Sequence, residues 1–352
     1  MSHSTYRALL SLPVLALGFI VALVGHASAA GQIVVAGPGG TFETALEDTV
    51  IARFKKAYNV DVVYNSGRAE NLLTQIKAEG DQPQIDIMLG TDSTHYAGIK
   101  LGVLEPIDPA KVSNYPDVFD FAKSPDGIGV MYGFQALGIE YNTKVFADKG
   151  WQPPTSWNDI WDPKYKDHVI LSSVPSGYAM TFLGLMAKLD TGKTTSLDTV
   201  WPKLEKLAPN VLSYPTAAAE LDQMFAAGGG WIAPNGSGRI SALAATGVPV
   251  AMAIPKEGAA LNPNWMDVVK HAPNHEMALA FVNFMLSPES QYDVATKAQF
   301  GPVNKLVKLT PEQAKDVPYG PDVVKSLIPV DLGELENQLP AITDRFSRLI
   351  AK

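Results

Sequence analysis

A run of polar residues follows one predicted strand and supplies the donors and acceptors of a small-molecule site. This run, Gly90-Thr91-Asp92-Ser93, comes directly after the apolar segment Ile85–Leu89. Open α/β sheets bind ligands outside the carboxyl ends of their strands, so Thr91, Asp92 and Ser93 are candidate ligand-binding residues. Thr91 or Asp92 can also cap the helix that follows, and the two roles are compatible.

Serines precede another predicted helix, which covers about residues 178–189. Ser172, Ser173 and Ser176 all come shortly before Tyr178. Hydroxyl groups and free backbone N–H groups at a helix start favour negative charge on a ligand, or they simply cap the helix. Capping is the more common role, and both alternatives stay open for Ser173 and Ser176.

A glycine turn near the start of the mature chain offers a further polar position. Ile33–Ala36 predicts a buried strand, three glycines follow within four residues, and Thr41 can cap the next helix. Free N–H groups at such a turn can hold polar or anionic ligand atoms. Phe42 stands where a dinucleotide motif needs its third glycine, and no Gly-Lys-Ser/Thr follows, so no nucleotide cofactor is expected.

Arg239 lies where a predicted loop, Pro234–Gly238, meets the next helix. A guanidinium group can hold a carboxylate or a phosphonate through two parallel hydrogen bonds. The alternative is a solvated helix residue, which the sequence slightly favours.

Patterns for catalysis and for metal binding are weak. His271 and His275 have the spacing of a helical zinc pair, but Pro273 interrupts the helix that such a pair needs. Asn235 replaces the first glycine of a nucleophile elbow. The chain has no cysteine, which excludes thiol catalysis. The sequence therefore predicts a protein that is not an enzyme and that holds no metal and no cofactor.

The elements that must position these residues alternate between strands and helices. The most extended strand prediction is Gly129–Asn142, which is rich in aromatic and β-branched residues. A run rich in Pro and Trp, Gln152–Val169, follows it and opens a new unit. We therefore interpret Gly129–Asn142 as a crossover strand between two α/β lobes, with a ligand cleft between them.

Composition limits the classes of function. The chain has 352 residues, a hydrophobic content of 46%, a charged content of 18% and a net charge of −8. The first two fractions are typical of globular proteins. An acidic chain without a cluster of Lys and Arg is a poor candidate for nucleic-acid binding.

The first 29 residues predict a secretory signal peptide. They combine Arg7, an apolar run and the ending Ala27-Ser28-Ala29. The alternative is a membrane anchor, because the apolar run approaches the length that spans a bilayer. Without cysteine no lipid can be attached, so we expect a soluble mature protein in the periplasm or outside the cell.

A set of segments resembles the periplasmic solute-binding proteins of ABC importers, in particular the group related to the spermidine/putrescine-binding proteins. In chain order they are IDIMLGTDS (85–93), LGVLEPID (101–108), GIEYN (138–142), PTSWNDIWDPKYKDHV (154–169), IPKEG (254–258), Trp265-Met266-Asp267 and HEMALAFVNFMLSPESQ (275–291). The resemblance implies an α/β type II periplasmic binding fold, with two lobes joined by crossover strands. We expect lobe one to comprise residues 30–137 and 268–352, and lobe two residues 138–267.

The resemblance also implies ligand contacts. The family places contacts on the Asn-Gly-Ser loop, which makes Asn235 and Ser237 candidates. In the polyamine-binding relatives, the tripeptide that matches Trp265 and Asp267 supplies an aromatic wall and a carboxylate for an amine. A proline replaces the family's aromatic residue before the asparagine, so Trp231 is the alternative wall. Trp265 can instead be a core residue, and Asp267 a helix cap.

The turn that carries acidic residues in the polyamine binders carries serines and Pro175 here. A ligand with one amine and one anionic end, such as an aminophosphonate, or a polyol is therefore expected to fit this site at least as well as a polyamine. Distant relatives capture ferric ion with adjacent tyrosines, and no two tyrosines are adjacent in this chain.

We expect a monomeric binding protein that closes its lobes on a small polar solute and delivers it to an ABC permease in the inner membrane. The alternative is a secreted hydrolase that uses the carboxylates of Asp92 and Asp267.

Overall fold

A computed structural model describes residues 31–351. The predicted signal peptide lies outside the described residues. The strands are β1 (Gln32–Gly37), β2 (Asp61–Ser66), β3 (Ile87–Thr91), β4 (Leu104–Glu105), β5 (Val130–Asn142), β6 (Val169–Ile170), β7 (Val211–Ser213), β8 (Ile232–Gly236), β9 (Val250–Ala253), β10 (Ala260–Val269) and β11 (Ile328–Pro329).

The α-helices of the described residues are α1 (Thr41–Leu46), α2 (Ala52–Tyr58), α3 (Ala69–Glu79), α4 (Asp92–Leu101), α5 (Thr143–Asp148), α6 (Gly177–Thr191), α7 (Val200–Leu207), α8 (Ala218–Ala226), α9 (Ser237–Ala245), α10 (His275–Met285), α11 (Pro288–Lys297), α12 (Pro321–Ser326), α13 (Leu332–Glu336) and α14 (Leu339–Ile350). A π-helical segment, Glu47–Ile51, joins α1 to α2. Short 3-10 helices occupy Pro109–Lys111, Tyr115–Asp117, Asp120–Ala122, Trp157–Trp161, Pro163–Tyr165, Leu197–Thr199, Ala208–Asn210 and Gln313–Asp316.

The strands form one mixed sheet in the order β2-β1-β3-β10-β5-β8-β6-β7. β2, β1 and β3 are parallel, as expected for βαβ units. β10 is antiparallel to both β3 and β5, and β8 is antiparallel to β5. β6 is parallel to both β8 and β7, so the sheet is parallel towards both ends and antiparallel in its centre, and the predicted α/β class is observed.

Two hydrophobic cores share strand β5. The first core includes Ile33, Val35, Ile87, Leu89, Val130, Met131, Phe134, Met266, Phe281 and Val282. The second core includes Leu137, Ile139, Trp157, Phe182, Leu185, Trp201, Ile232, Leu335, Ile342 and Phe346. β5 is buried along nearly its whole length, which explains why its sequence is a near-continuous apolar run rather than an alternating one. The predicted strand Gly129–Asn142 is thus observed as Val130–Asn142.

Local signals define the helices that later form the site. Thr91 caps α4: its hydroxyl accepts from the Thr94 N–H at 3.4 Å, and the Thr94 hydroxyl accepts from the Thr91 N–H at 2.9 Å. The hydroxyl of Ser176 accepts from the backbone N–H of Ala179 and caps α6. Both caps satisfy N–H groups that a helix start leaves without partners.

The expected cap at Thr41 is wrong. Gly40 occupies the cap position of α1 without a side-chain hydrogen bond, and Thr41 is the first helical residue. Gly40 has a φ of 75°, a left-handed backbone conformation that favours glycine over threonine.

The C-terminal segment, residues 328–350, packs with the second core. Ile342, Phe346 and Leu349 of α14 are buried there, at spacings that place them on one helix face. The lobe boundaries stay a prediction, and this packing does not favour the assignment of residues 328–350 to lobe one.

Phe346→Ala is expected to lower the free energy of unfolding by about 3–5 kcal/mol, because it removes a fully buried aromatic ring from the second core. Ile350→Ala, one turn further along the same helix, is the matched control, since Ile350 is 42% exposed and its loss should change stability by about 0.5 kcal/mol or less. Urea unfolding measures both values. Equal effects of the two substitutions would contradict the packing of α14.

Candidate functional site

A cavity of about 760 Å³ lies between elements of the two cores. The β3–α4 junction, α3 and part of β10 line it on the side of the first core. The start of α6 and the segment from α13 to the start of α14 line it on the side of the second core. A cavity of this size, walled by several separate elements, suits a small ligand.

Four of the twelve candidate residues line this cavity: Thr91, Asp92, Ser93 and Ser176. The first three lie where β3 ends and α4 begins, and Ser176 lies at the start of α6. Thr91 and Ser176 also cap their helices, so the capping role is observed at both residues and their contact with a ligand stays a prediction.

The charge of the cavity lining is negative. Glu70, Asp92 and Glu336 line it, and among its described lining residues none is Lys, Arg or His. Glu70 and Glu336 are exposed, and Arg68 lies 3.7 Å from Glu70 and offsets part of its charge. The cavity therefore favours a ligand that carries positive charge.

Asp92 is the buried acid of this set, with 4% of its surface exposed. The indole Nε1–H of Trp265 donates to its Oδ1 at 2.8 Å. Burial raises the pKa of the Asp92 carboxyl to about 6, and the Trp265 hydrogen bond acts in the opposite direction.

Three side-chain amides line the cavity and were missed from the sequence. They are Gln135 on β5 and Asn262 and Asn264 on β10. All three are half-buried in strands that are otherwise largely apolar. The available signal was the interruption of apolar strands by polar residues, with Asn262 and Asn264 two positions apart and so on one face.

Trp265 and Asp267 lie in the interior rather than in the cavity lining. Trp265 is 3% exposed and stacks on His95, with ring centroids 4.0 Å apart, and Asp267 is fully buried with its Oδ1 2.7 Å from His95 Nδ1. β10 keeps a regular register with β3 from Asn264 to Val268, so Trp265 and Asp267 lie on the face of β10 opposite to Asn262 and Asn264. Direct ligand contact by Trp265 or Asp267 stays a prediction that this placement does not favour.

Asn235 and Ser237 have partners within the protein. Asn235 donates from Nδ2 to Oε2 of the buried Glu140 at 2.8 Å. The hydroxyl of Ser237 accepts from the backbone N–H of Ala136 at 3.2 Å. Both side chains are buried and outside the cavity lining, so their predicted ligand contact is not favoured either.

The remaining four candidates also lie outside this lining. Arg239 forms an ion pair with Asp222, so the guanidinium group already has an acidic partner. Trp231 stacks on His168 with ring centroids 3.3 Å apart. Thr41 is exposed at the start of α1, and the Ser173 hydroxyl bonds to the neighbouring Val174 carbonyl at 3.3 Å.

Within residues 31–351, no group of three or more His, Cys, Asp or Glu side chains is arranged to hold a metal ion. In the same residues, every helix is too short or too polar to span a bilayer.

Residues 49–319 match the family described as bacterial extracellular solute-binding protein. The chain is similar to the spermidine/putrescine-binding periplasmic protein of Salmonella typhimurium, with 26% identity over 82% of this chain and 83% of that protein. It is also similar to the gamma-aminobutyric acid-binding protein of Pseudomonas aeruginosa, with 24% identity over 89% of each chain.

A solved structure with a similar fold is the spermidine/putrescine ABC transporter substrate-binding protein of Streptococcus pneumoniae. Its TM-score is 0.76, at 20% identity, and the match covers 91% of this chain and all of that chain. The predicted type II periplasmic binding fold is confirmed by this likeness.

Glu140→Gln is expected to change how stability depends on pH. Burial raises the pKa of Glu140 to about 8 from its ordinary value of 4.5, so unfolding releases a proton between these values and wild-type stability falls as pH rises through that range. The variant lacks this loss. The difference in free energy of unfolding between the variant and wild type should therefore shift in favour of the variant by on the order of a few kcal/mol from pH 4.5 to pH 8.

Urea unfolding at several pH values measures this difference. Glu334→Gln is the control, because Glu334 is exposed and its replacement should leave the pH dependence unchanged. If the free energies of unfolding of Glu140→Gln and wild type changed in parallel between pH 4.5 and pH 8, Glu140 would be ionised in the folded protein over this range.

Proposed function

We propose that this chain, which belongs to the bacterial extracellular solute-binding proteins, captures a small amine-containing solute in its acidic cavity and delivers it to an ABC permease. The observation that carries the proposal is the lining itself, which has three carboxyl groups and no Lys, Arg or His among its described residues. A protonated amine is the common small-molecule group that neutralises such a surface.

Asp92 is the anchor that we assign to the amine. A carboxylate that is 4% exposed is unfavourable when it is ionised without a cationic partner. An ammonium group that enters the cavity supplies that partner, and a hydrogen bond between charged groups contributes about 1.5–3 kcal/mol. The two exposed acids, Glu70 and Glu336, add attraction at longer range.

The rest of the lining suits the uncharged or anionic part of the same ligand. Gln135, Asn262 and Asn264 each offer both donors and acceptors. The start of α6, where Ser176 lies, favours negative charge through its free N–H groups. Both a polyamine and a zwitterion with one amine therefore belong to the proposed ligand class. The Salmonella relative is named for binding polyamines, and the Pseudomonas relative is named for binding a zwitterion, gamma-aminobutyric acid.

Lobe closure is the mechanism we propose for capture. β5 and β10 contribute residues to both cores and are the connections about which two lobes can rotate. Ligand that contacts both sides of the cavity stabilises the closed arrangement by its difference in affinity for the two states. We assign the protein to the periplasm, on the basis of its predicted signal peptide and of relatives that are periplasmic binding proteins.

The hydrolase alternative is not favoured. It needs Asp92 and Asp267 to share the cavity, and Asp267 is fully buried against His95 instead. The relatives named above are binding proteins rather than enzymes.

Four ligands with a four-carbon chain test the ligand class in the mature protein: putrescine, gamma-aminobutyrate, butyrate and 1,4-butanediol. Isothermal titration calorimetry should detect putrescine, gamma-aminobutyrate or both with micromolar affinity, about 8 kcal/mol of binding free energy. Butyrate and the diol lack the amine and should not bind. Binding of butyrate without binding of either amine would overturn the proposal.

Asp92→Asn should weaken binding of the preferred amine roughly 10- to 100-fold, because it removes the charge of the anchor and keeps its shape. Asp48→Asn is the matched control, since Asp48 is exposed on the π-helical segment and lies outside the cavity lining. Calorimetry at pH 7.5 measures both variants. An unchanged dissociation constant for Asp92→Asn would assign the amine to another acid.

Affinity for the amine should fall as pH decreases through about 6. The ionised form of Asp92 binds the cation, its pKa is about 6, and the amine itself stays protonated over this range. The dissociation constant at pH 5 should therefore be about tenfold larger than at pH 8. The Asp92→Asn variant should lack this dependence, and calorimetry from pH 5 to pH 8 compares the two proteins.

A further inference from the structure

We infer that His95 is a positioning residue for the Asp92 carboxylate, acting through the indole of Trp265, and that it thereby sets the lower pH limit of amine capture. The second part rests on the proposed function, whereas the first part concerns the protein alone. His95 does not line the cavity and was not a candidate from the sequence.

Three contacts connect the interior to the cavity. Asp267 Oδ1 lies 2.7 Å from His95 Nδ1, the His95 ring lies parallel to the Trp265 indole at 4.0 Å and 6°, and Trp265 Nε1–H donates to Asp92 at 2.8 Å. Each contact fixes the orientation of the next ring. Asp267 holds the plane of the imidazole, the imidazole holds the plane of the indole, and the indole N–H then points at the carboxylate.

The side chains of Asp267, His95, Trp265 and Asp92 form an array that is closed to solvent. His95 and Asp267 are fully buried, and Trp265 and Asp92 are 3% and 4% exposed. Gly129 covers the pair with a φ of 74°, and a Cβ atom at this position would lie 2.1 Å from Asp267 Oδ1. Only glycine fits there without displacing the pair.

Two buried polar atoms of the array, His95 Nε2 and Asp267 Oδ2, have no hydrogen-bond partner among the described residues. Polar atoms without a partner are costly in the interior.

The role follows from the groups that face Asp92. Burial raises the pKa of its carboxyl most strongly, the Trp265 hydrogen bond and the charge of His95 lower it, and the nearby Asp331 and Glu336 raise it. Asp126 faces the other end of the array, beside Asp267. A correctly oriented indole N–H favours the ionised carboxylate, which is the form that binds a cation.

Carbon-13 NMR of the Asp92 carboxyl carbon, assigned with Asp92→Asn, tests the positioning role without any ligand. Four proteins are compared with wild type: His95→Gln, Trp265→Phe, the double variant, and His168→Gln. His168 is the matched control, because it also stacks on a tryptophan and forms a hydrogen bond through Nδ1, which donates to the Gly229 carbonyl, but it lies at Trp231 and outside the cavity.

Both single variants at the array should move the Asp92 titration midpoint upward, and His168→Gln should leave it unchanged. The double variant should lie above Trp265→Phe by less than the shift of His95→Gln alone, because the positioning effect of His95 needs the indole N–H, whereas its charge acts on Asp92 directly. Additive shifts, or no shift in His95→Gln, would overturn the inference. Trp265→Phe keeps an aromatic ring in the core, so it tests the array even if His95→Gln does not fold.

Calorimetry with putrescine tests the consequence for capture. His95→Gln should bind about threefold more weakly than wild type at pH 6.5 and within about twofold of it at pH 8.5, where Asp92 is ionised in both proteins. Equal weakening at both pH values would show a structural defect and overturn the pH role. If the NMR midpoint shifts as expected but putrescine and gamma-aminobutyrate do not bind at any pH, the positioning role stands and the proposed function fails.

Discussion

The antiparallel pairing of β5 with β10 is the constraint on which the rest of the structure depends. Residues from Val130 to Leu137 pair with residues from Met266 back to Ala260, and both strands contribute to the first and the second core. Within each core, the side chains that β5 and β10 contribute are apolar. Gln135, Asn262 and Asn264 occur where one core gives way to the other, so the same two strands build the interior and the cavity wall.

Features that depend on neighbouring residues could be predicted from the sequence. The predicted strand Gly129–Asn142 differs from β5 by one residue, because its run of aromatic and β-branched residues is a local signal. The polar run after the third strand, Thr91 to Ser93, lies at the cavity because the end of a strand and the start of a helix are fixed by local signals. Ser176 lies at the cavity for the same reason, because it caps α6.

Features that depend on distant residues could not be predicted. The sequence shows that Trp265 and Asp267 share a face of a strand, but it does not show that this face meets His95 of α4 rather than the cavity. Asn235 is bound by Glu140, which lies 95 positions earlier in the chain. A motif carried over from relatives supplies residue types, whereas the direction of each side chain depends on pairing between remote strands.

The position of the C-terminal segment has a consequence for biosynthesis. Glu336 and Leu339 line the cavity together with Glu70 and Leu73, so distant parts of the chain are walls of one site. Domains fold largely as their chain emerges, from the N-terminus onward. The cavity therefore cannot form until α13 and the start of α14 have emerged, and a chain that stops before Glu336 lacks one wall of the site.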